Sequence, residues 1–275
     1  MISALVLALA GPAPAPAPIV VATYSYPRFD RRVALAPLAA MVERVSGQPV
    51  RIELFDTPDA LARAVCEGRA DVAMTNLGAY VAMRECPATG AVAVLDTPPA
   101  VLDRYRGVLI VRADAGIATM AELPARAAGL RYSEVLPGST SGALVQAAQL
   151  RTIATAPAAF AALRHAGTHE GALDDLLAGR ADIAALAEDP WRKLQASEPE
   201  RAATLRLLWR SAPLPPGPVV CRTRAAVPCT AIREALLSRT AAGVAGTLSK
   251  GWSETEGADR FRKYDPAVYA AFKAE

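Results

Sequence analysis

Little of this 275-residue chain is aromatic. Phe, Trp and Tyr together make 5% of it, and it holds two histidines. Its core must therefore be aliphatic and alanine-rich. No run of lysines or arginines occurs, and the net charge is only +3. Without a basic stripe nothing in the chain addresses nucleic acid, while the slight positive balance favours anionic ligands. No apolar stretch reaches the ~20 residues of a membrane-spanning helix. The four cysteines, Cys66, Cys86, Cys221 and Cys229, form no Cys-x-x-Cys pair, which argues against structural zinc. They allow three pairings. The sequence-local one, Cys66 with Cys86 and Cys221 with Cys229, is preferred here over buried free thiols. Also missing are a Gly-x-Ser-x-Gly elbow, a P-loop and a His-Glu-x-x-His motif. No cofactor and no metal are expected.

What is present is a globular composition, 52% apolar and 21% charged, outside the disordered range. The N-terminus to Pro12 carries an apolar run suited to the h-region of a secretory signal, with small residues after it, although no basic residue precedes it. The Pro-Ala alternation from Pro12 to Pro18 cannot stay helical and reads as an extended linker. Residues 1–18 are thus read as a signal-like segment plus linker, and export to the periplasm is expected, which suits cysteines that are oxidised.

From residue 19 the chain alternates. Ile19 to Thr23 is a strand-type apolar run. Val33, Ala36, Ala40, Val42 and Val45 form a rough helical stripe, closed by Gly47 as a C-cap. Val50 to Leu54 alternates as a strand, Thr57 to Cys66 is a helix, and Ala70 to Met74 is a buried strand. This order predicts a parallel α/β unit. A repeat follows. Helix, Gly68-Arg69-Ala70-Asp71 and strand recur as helix, Gly179-Arg180-Ala181-Asp182 and strand, a spacing far too long for stacked repeats. We read one such unit in each of two similar lobes. Between them lie a strand at Gly107 to Val111, a Thr-x-x-Glu capping box at Thr119, and a strand from Gly129 to Ser133. Later come a helix opened by Asp189 and Pro190, a strand from Thr204 to Trp209, and a proline-dense stretch from Ser211 to Pro218 that excludes regular structure. A strand then runs from Val219 to Cys221, and helical stretches from Ala231 to Ala242 and from Thr247 to Arg262, interrupted by Gly251 and Gly257.

The chemistry centres on Gly138-Ser139-Thr140-Ser141-Gly142, a turn that opens a helix over Ala143 to Thr152. A helix N-terminus presents unpaired N–H groups and a partial positive charge. With three hydroxyls it makes a cup of donors, free of lysine and arginine, suited to a small anion. As an ordinary N-cap the same residues would be unremarkable. His169, at another helix start, stays neutral there and can donate one N–H. Thr75 and Asn76, after a buried strand, and Tyr24, Ser25 and Tyr26, after the first strand, are further candidates; loop capping is their alternative. Trp191, Trp209 and Trp252 read as packing residues rather than a cation cage. Ser139 or Ser141 with His169 and Glu170 could mimic a hydrolase triad, the rival reading.

Tyr105 to Val111 through Ser139-Thr140-Ser141-Gly142, then Gly167-Thr168-His169-Glu170, then Leu208-Trp209-Arg210-Ser211-Ala212-Pro213-Leu214-Pro215, resemble in order the phosphonate-binding proteins of ABC importers. The resemblance runs from about Val20 to about Ala242. It implies two Rossmann-like α/β lobes joined by hinge strands, the type II periplasmic binding protein architecture. Lobe one would be 19–104 plus 213–275, and lobe two 105–212. The ligand would lie at strand ends and helix N-termini, held by Ser139, Thr140, Ser141 and His169, with Thr75, Asn76 and Tyr26 as further contacts. Phosphate, phosphite or a short phosphonate is the expected cargo, an ABC permease the expected partner, and a monomer the expected state. A periplasmic oxyanion sensor subunit, for example for arsenic oxyanions, signalling to a membrane histidine kinase, is the alternative. Family tyrosines fall at Thr75 and Pro58, and the family's acidic residue for a substrate amine falls at Gly217. Burying an ammonium without a carboxylate is costly, so phosphate, phosphite or methylphosphonate should bind tighter than 2-aminoethylphosphonate.

Overall fold

The computed structural model describes residues 17–272; the signal-like reading of residues 1–16 falls outside them. Two sheets carry the chain. The first has the order β11-β4-β10-β3-β1-β2 and the second β7-β6-β8-β5-β9. The strands of the first are β1 (Ile19–Tyr24), β2 (Val50–Phe55), β3 (Val72–Met74), β4 (Thr89–Leu95), β10 (Val219–Arg222) and β11 (Phe261–Arg262). Those of the second are β5 (Gly107–Arg112), β6 (Arg131–Glu134), β7 (Ala162–His165), β8 (Ile183–Ala187) and β9 (Leu205–Arg210). The chain therefore passes between the sheets twice, after Leu95 and after Arg210. The helices are α1 (Arg31–Ser46), α2 (Pro58–Cys66), α3 (Leu77–Met83), α4 (Pro99–Leu102), α5 (Leu123–Arg126), α6 (Val145–Thr152), α7 (His169–Leu177), α8 (Glu188–Ser197), α9 (Pro199–Ala202), α10 (Cys229–Leu237) and α11 (Ala242–Leu248).

Strand periodicity splits each lobe's core in two. In β1, Ile19 and Val21 enter one core while Val20, Ala22 and Tyr24 enter the other. In β5, Val108 and Ile110 face away from Leu109 and Val111. Apolar residues of β1 and β5 thus enter cores on both faces of their sheets, so these strands are apolar over most of their length.

The Gly-Arg-Ala-Asp repeat has one physical meaning in both places. Gly68 (φ +76°) and Gly179 (φ +67°) end α2 and α7 in the left-handed conformation. The aspartate then locks the following strand to its neighbour. Asp71 N–H donates to the Val20 carbonyl, and Val20 N–H donates back to Asp71 Oδ2, both at 2.9 Å. Asp182 N–H donates to the Arg131 carbonyl at 2.9 Å, and Arg131 N–H donates to Asp182 Oδ2 at 2.8 Å. The pairs β1/β3 and β6/β8 are parallel in both lobes.

Several expectations are corrected. The buried face of α1 is Ala34, Leu35, Leu38, Met41 and Val42, continued back to Arg31; Val33 is 62% exposed. The C-terminal stretch is not two long helices. Gly243, Gly246, Gly251 and Gly257 punctuate it, and it breaks into α10, α11, short 3-10 turns and β11, which pairs antiparallel with β4. The segments forming α3, β4 and β7 carry no clear periodicity and were not anticipated. Thr119 does not cap through its side chain; it donates to Glu122 Oε1 at 3.0 Å, and Ala118 N–H donates to Oε2 at 3.0 Å, ahead of a 3-10 turn. Both sequence-local disulfides form, Cys66–Cys86 and Cys221–Cys229.

The crossings are tied together. Ser211 N–H donates to the Gly107 carbonyl (2.9 Å), Gly107 N–H to Ser211 Oγ (3.0 Å), and Leu214 N–H to the Tyr105 carbonyl (2.9 Å). Gly217 lies in the second crossing, where a Cβ would sit 2.3 Å from the Thr75 carbonyl oxygen. Only glycine fits this backbone, so it has no room for an acidic side chain at Gly217.

Candidate functional site

The Ser-Thr-Ser turn does not open directly into an α-helix. Residues Thr140–Leu144 make one wide π turn before α6. Leu144 N–H reaches the Ser139 carbonyl at 2.9 Å, and Val135 N–H donates to the Gly142 carbonyl at 2.9 Å. The wide turn holds residues 140–143 against the end of β6. Gly142 is required there, because a Cβ would lie 2.4 Å from Val135 and 3.0 Å from His169.

His169 is the first residue of α7, whose N-cap Thr168 accepts from Gly171 N–H at 2.9 Å. Its Nδ1 accepts from Ala187 N–H at 2.9 Å. That leaves the proton on Nε2 as a donor. Burial, with Arg28 and Arg31 adding to it, pushes the imidazole pKa down to about 4. The ring is neutral at pH 7. The helix start was the expected cause; desolvation is the larger one.

Lobe one meets this turn closely. Asn76 accepts from Ala79 N–H through Oδ1 (2.8 Å), capping α3, and donates through Nδ2 to the Gly138 carbonyl (3.1 Å). Gly78 N–H donates to Thr140 Oγ1 at 2.9 Å. The Tyr26 hydroxyl accepts from His169 N–H at 3.4 Å, and burial raises its pKa to about 12. Arg28 and Glu170 pair across the lobes at the surface. Thr75 points elsewhere: buried, it donates to the Pro218 carbonyl at 2.7 Å in the second crossing.

These contacts border a small cavity of about 40 Å³, room for about three waters. Ser139, Thr140, Ser141 and His169 line it from lobe two, and Tyr26 and Asn76 from lobe one. Thr75 is not among the lining residues. The candidate Tyr24 lines it too, and among the residues not expected as ligand contacts are Arg31, Tyr105, Glu254 and Pro58. Arg31 overturns the expectation of a site without lysine or arginine. It is 4% exposed; Nε donates to the Gly251 carbonyl (2.9 Å) and Nη1 to the Tyr24 carbonyl (3.2 Å). Its guanidinium lies 4.0 Å from the Tyr24 ring centre and 4.5 Å from that of Trp252, so Trp252 both packs and faces a cation. The signal was available: Arg31 precedes Leu35 and Leu38 by four and seven residues, on the buried face of α1. Tyr105 opens the run that carries the resemblance but is not marked there as a contact, and for Glu254 the sequence holds no comparable signal.

Gly78 and Gly138 line instead a larger groove of about 640 Å³ with Val81 and Leu144. Its His165 and Glu134 already pair at 3.0 Å, and the convergent donors belong to the smaller cavity. The hydrolase constellation is not assembled, since His169 Nδ1 faces a backbone N–H and Glu170 pairs with Arg28.

Two α/β lobes meeting over a small polar cavity define a solute-binding protein of the hinged, two-lobed class. A profile of the family described as "ABC transporter, phosphonate, periplasmic substrate-binding protein" matches residues 23–269, and the chain belongs to that family. No curated protein matches it. Among solved structures it is similar to PhnD1 of Prochlorococcus marinus in complex with methylphosphonate (TM-score 0.64, 16% identity, covering 91% of this chain and 94% of that one). It is also similar to a binding protein component of an ABC phosphonate transporter from Pseudomonas aeruginosa (0.63, 18%, 91% and 82%). A Xanthomonas citri protein bound to chloride gives 0.71 at 20% identity, covering 92% and 93%.

Proposed function

We propose that this protein captures phosphate, phosphite or a short phosphonate between lobe one (19–104 plus 213–275) and lobe two (105–212), and delivers it to an ABC permease. It does so as an exported, periplasmic monomer. One observation carries the reading: Ser139, Thr140, Ser141, His169 and the buried Arg31 line one small polar cavity. Asn76 and Tyr26 close it from the opposite lobe. Thr75 acts at one remove, by holding the second crossing.

Arg31 already occupies the aromatic surroundings an ammonium would seek, and its positive charge repels one. Glu254 is the one carboxylate among the lining residues, so the amine's rank reads whether Glu254 pairs with it. The sensor reading uses the same cavity. All four cysteines are in disulfides, so a sensor of this build would read a phosphate-like arsenic oxyanion through hydrogen bonds rather than thiols. Calorimetric titration with phosphate, phosphite, methylphosphonate and 2-aminoethylphosphonate tests the proposal. The first three should bind and the last more weakly. Absence of binding by all of them refutes it, and tightest binding by the amine overturns the proposed order.

A further inference from the structure

Glu254 holds no part of the anion in the reading above, yet its side chain lines the same cavity. It sits in a short 3-10 turn, Ser253–Thr255, and is 9% exposed. No cation lies within ion-pairing distance of its carboxyl among the described residues. Arg31 acts on it electrostatically but spends two N–H groups on the Gly251 and Tyr24 carbonyls. The other titratable groups that face the carboxyl are Tyr24 and Tyr105, with Tyr26 and His169 across the cavity, all neutral at pH 7. Lys250, on the preceding turn, is exposed. The cavity thus carries the charge of Arg31 and whatever Glu254 adds. Burial drives the Glu254 pKa upward.

A carboxylate in an anion pocket repels its ligand unless a proton lies between the two oxygens. We infer that Glu254 makes the cavity select oxyanions that bring a proton: its carboxylate accepts a hydrogen bond from a P–OH group, while the ligand's other oxygens take the donors of the Ser-Thr-Ser turn and His169. The inference rests on the oxyanion reading. With Arg31 at +1 and Glu254 at −1, a singly protonated phosphonate leaves the filled cavity at −1. A fully ionised one leaves it at −2, out of water and with two oxygens opposed. A sulfonate of the same shape has no proton to share, and its acid is too strong to hold one, so it must bind with Glu254 itself protonated, which costs affinity as pH rises above the carboxyl's pKa.

Methylphosphonate and methanesulfonate separate these cases by calorimetry. For the unaltered protein at pH 7, methylphosphonate should bind at least about a hundredfold tighter, as expected where a buried polar group loses its partner. At alkaline pH its affinity should fall by up to about tenfold per pH unit as the P–OH ionises. Proton uptake should then be visible in buffers of different ionisation heat. In Glu254→Gln the amide can donate to either ligand, so the preference should shrink to within about tenfold and the pH slope should flatten. Equal binding of both ligands by the unaltered protein overturns the inference without needing the variant. So does an unchanged preference in Glu254→Gln. A variant that weakens only 2-aminoethylphosphonate would make Glu254 an ammonium partner instead. Binding of no tetrahedral oxyanion at all would remove the oxyanion reading, and this inference with it.

Discussion

Gly78→Ala tests the inter-lobe contact itself. Gly78 is the second residue of α3, in lobe one. A Cβ there would lie 2.3 Å from the Gly138 carbonyl oxygen in lobe two. Carbon–oxygen contacts need roughly 3.3 Å, so the lobes must part by about 1 Å. That strains two bonds across the cleft, Gly78 N–H to Thr140 Oγ1 at 2.9 Å and Asn76 Nδ2–H to the Gly138 carbonyl at 3.1 Å. Each is worth about 0.5–1.5 kcal/mol net. Losing both costs about 1–3 kcal/mol of closed-state stability, or roughly five- to 150-fold in ligand affinity. The fold of lobe one should not suffer, because alanine is favoured over glycine in a helix by up to about 1 kcal/mol. The expected pattern is therefore weaker methylphosphonate binding with an unliganded Tm unchanged or slightly raised. Small-angle scattering should show the unaltered protein contracting with saturating ligand and the variant contracting less. Affinity within twofold of the unaltered protein would refute the closure argument, and so would an unliganded variant that is clearly destabilised.

Removing a hydroxyl or imidazole that meets a charged ligand should cost about 1.5–3 kcal/mol, ten- to a hundredfold in affinity. Calorimetry on Thr140→Ala, Ser141→Ala and His169→Ala checks this, and unchanged affinity in all three would remove the site. The disulfides close loops of sequence separation 20 and 8, worth about 3 and 2.5 kcal/mol by loop entropy. Reduction should lower Tm, and intact mass after alkylation should show no free thiol in protein taken from the periplasm. His169 has its folded pKa lowered to about 4 against about 6.5 unfolded. The unfolded chain therefore takes up the proton first. This residue's contribution to stability should decline from pH 6.5 down to about 4 and then level off. Its ring signals in NMR should stay constant from pH 8 to 5.5, and a midpoint above 6 would contradict the burial argument.

How far the site was legible follows from how local each feature is. The Ser-Thr-Ser turn and His169 are contiguous motifs at the starts of helical segments, so their order and residue types show before folding. Arg31 was half legible, as a charge placed on an apolar helical face. Glu254 sits in a glycine-interrupted stretch with no period, and only the packing of that turn beside α1 and Tyr105 brings it to the cavity. Thr75 looked like a ligand contact because it follows a buried strand, but the crossing strand at Pro218 takes its hydroxyl.

Local chemistry in the chain determined the two-lobe plan. The repeated Gly-Arg-Ala-Asp unit ends a helix with a left-handed glycine and locks two parallel strands with an aspartate, wherever it occurs. Apolar runs and turn residues likewise determined most strands and the disulfide partners, because these depend on neighbours within about twenty residues. Tertiary structure alone decided the contents of the cavity. Its walls come from segments more than 200 residues apart, and the balance among Arg31, His169 and Glu254 is set by burial, which no stretch of sequence carries by itself.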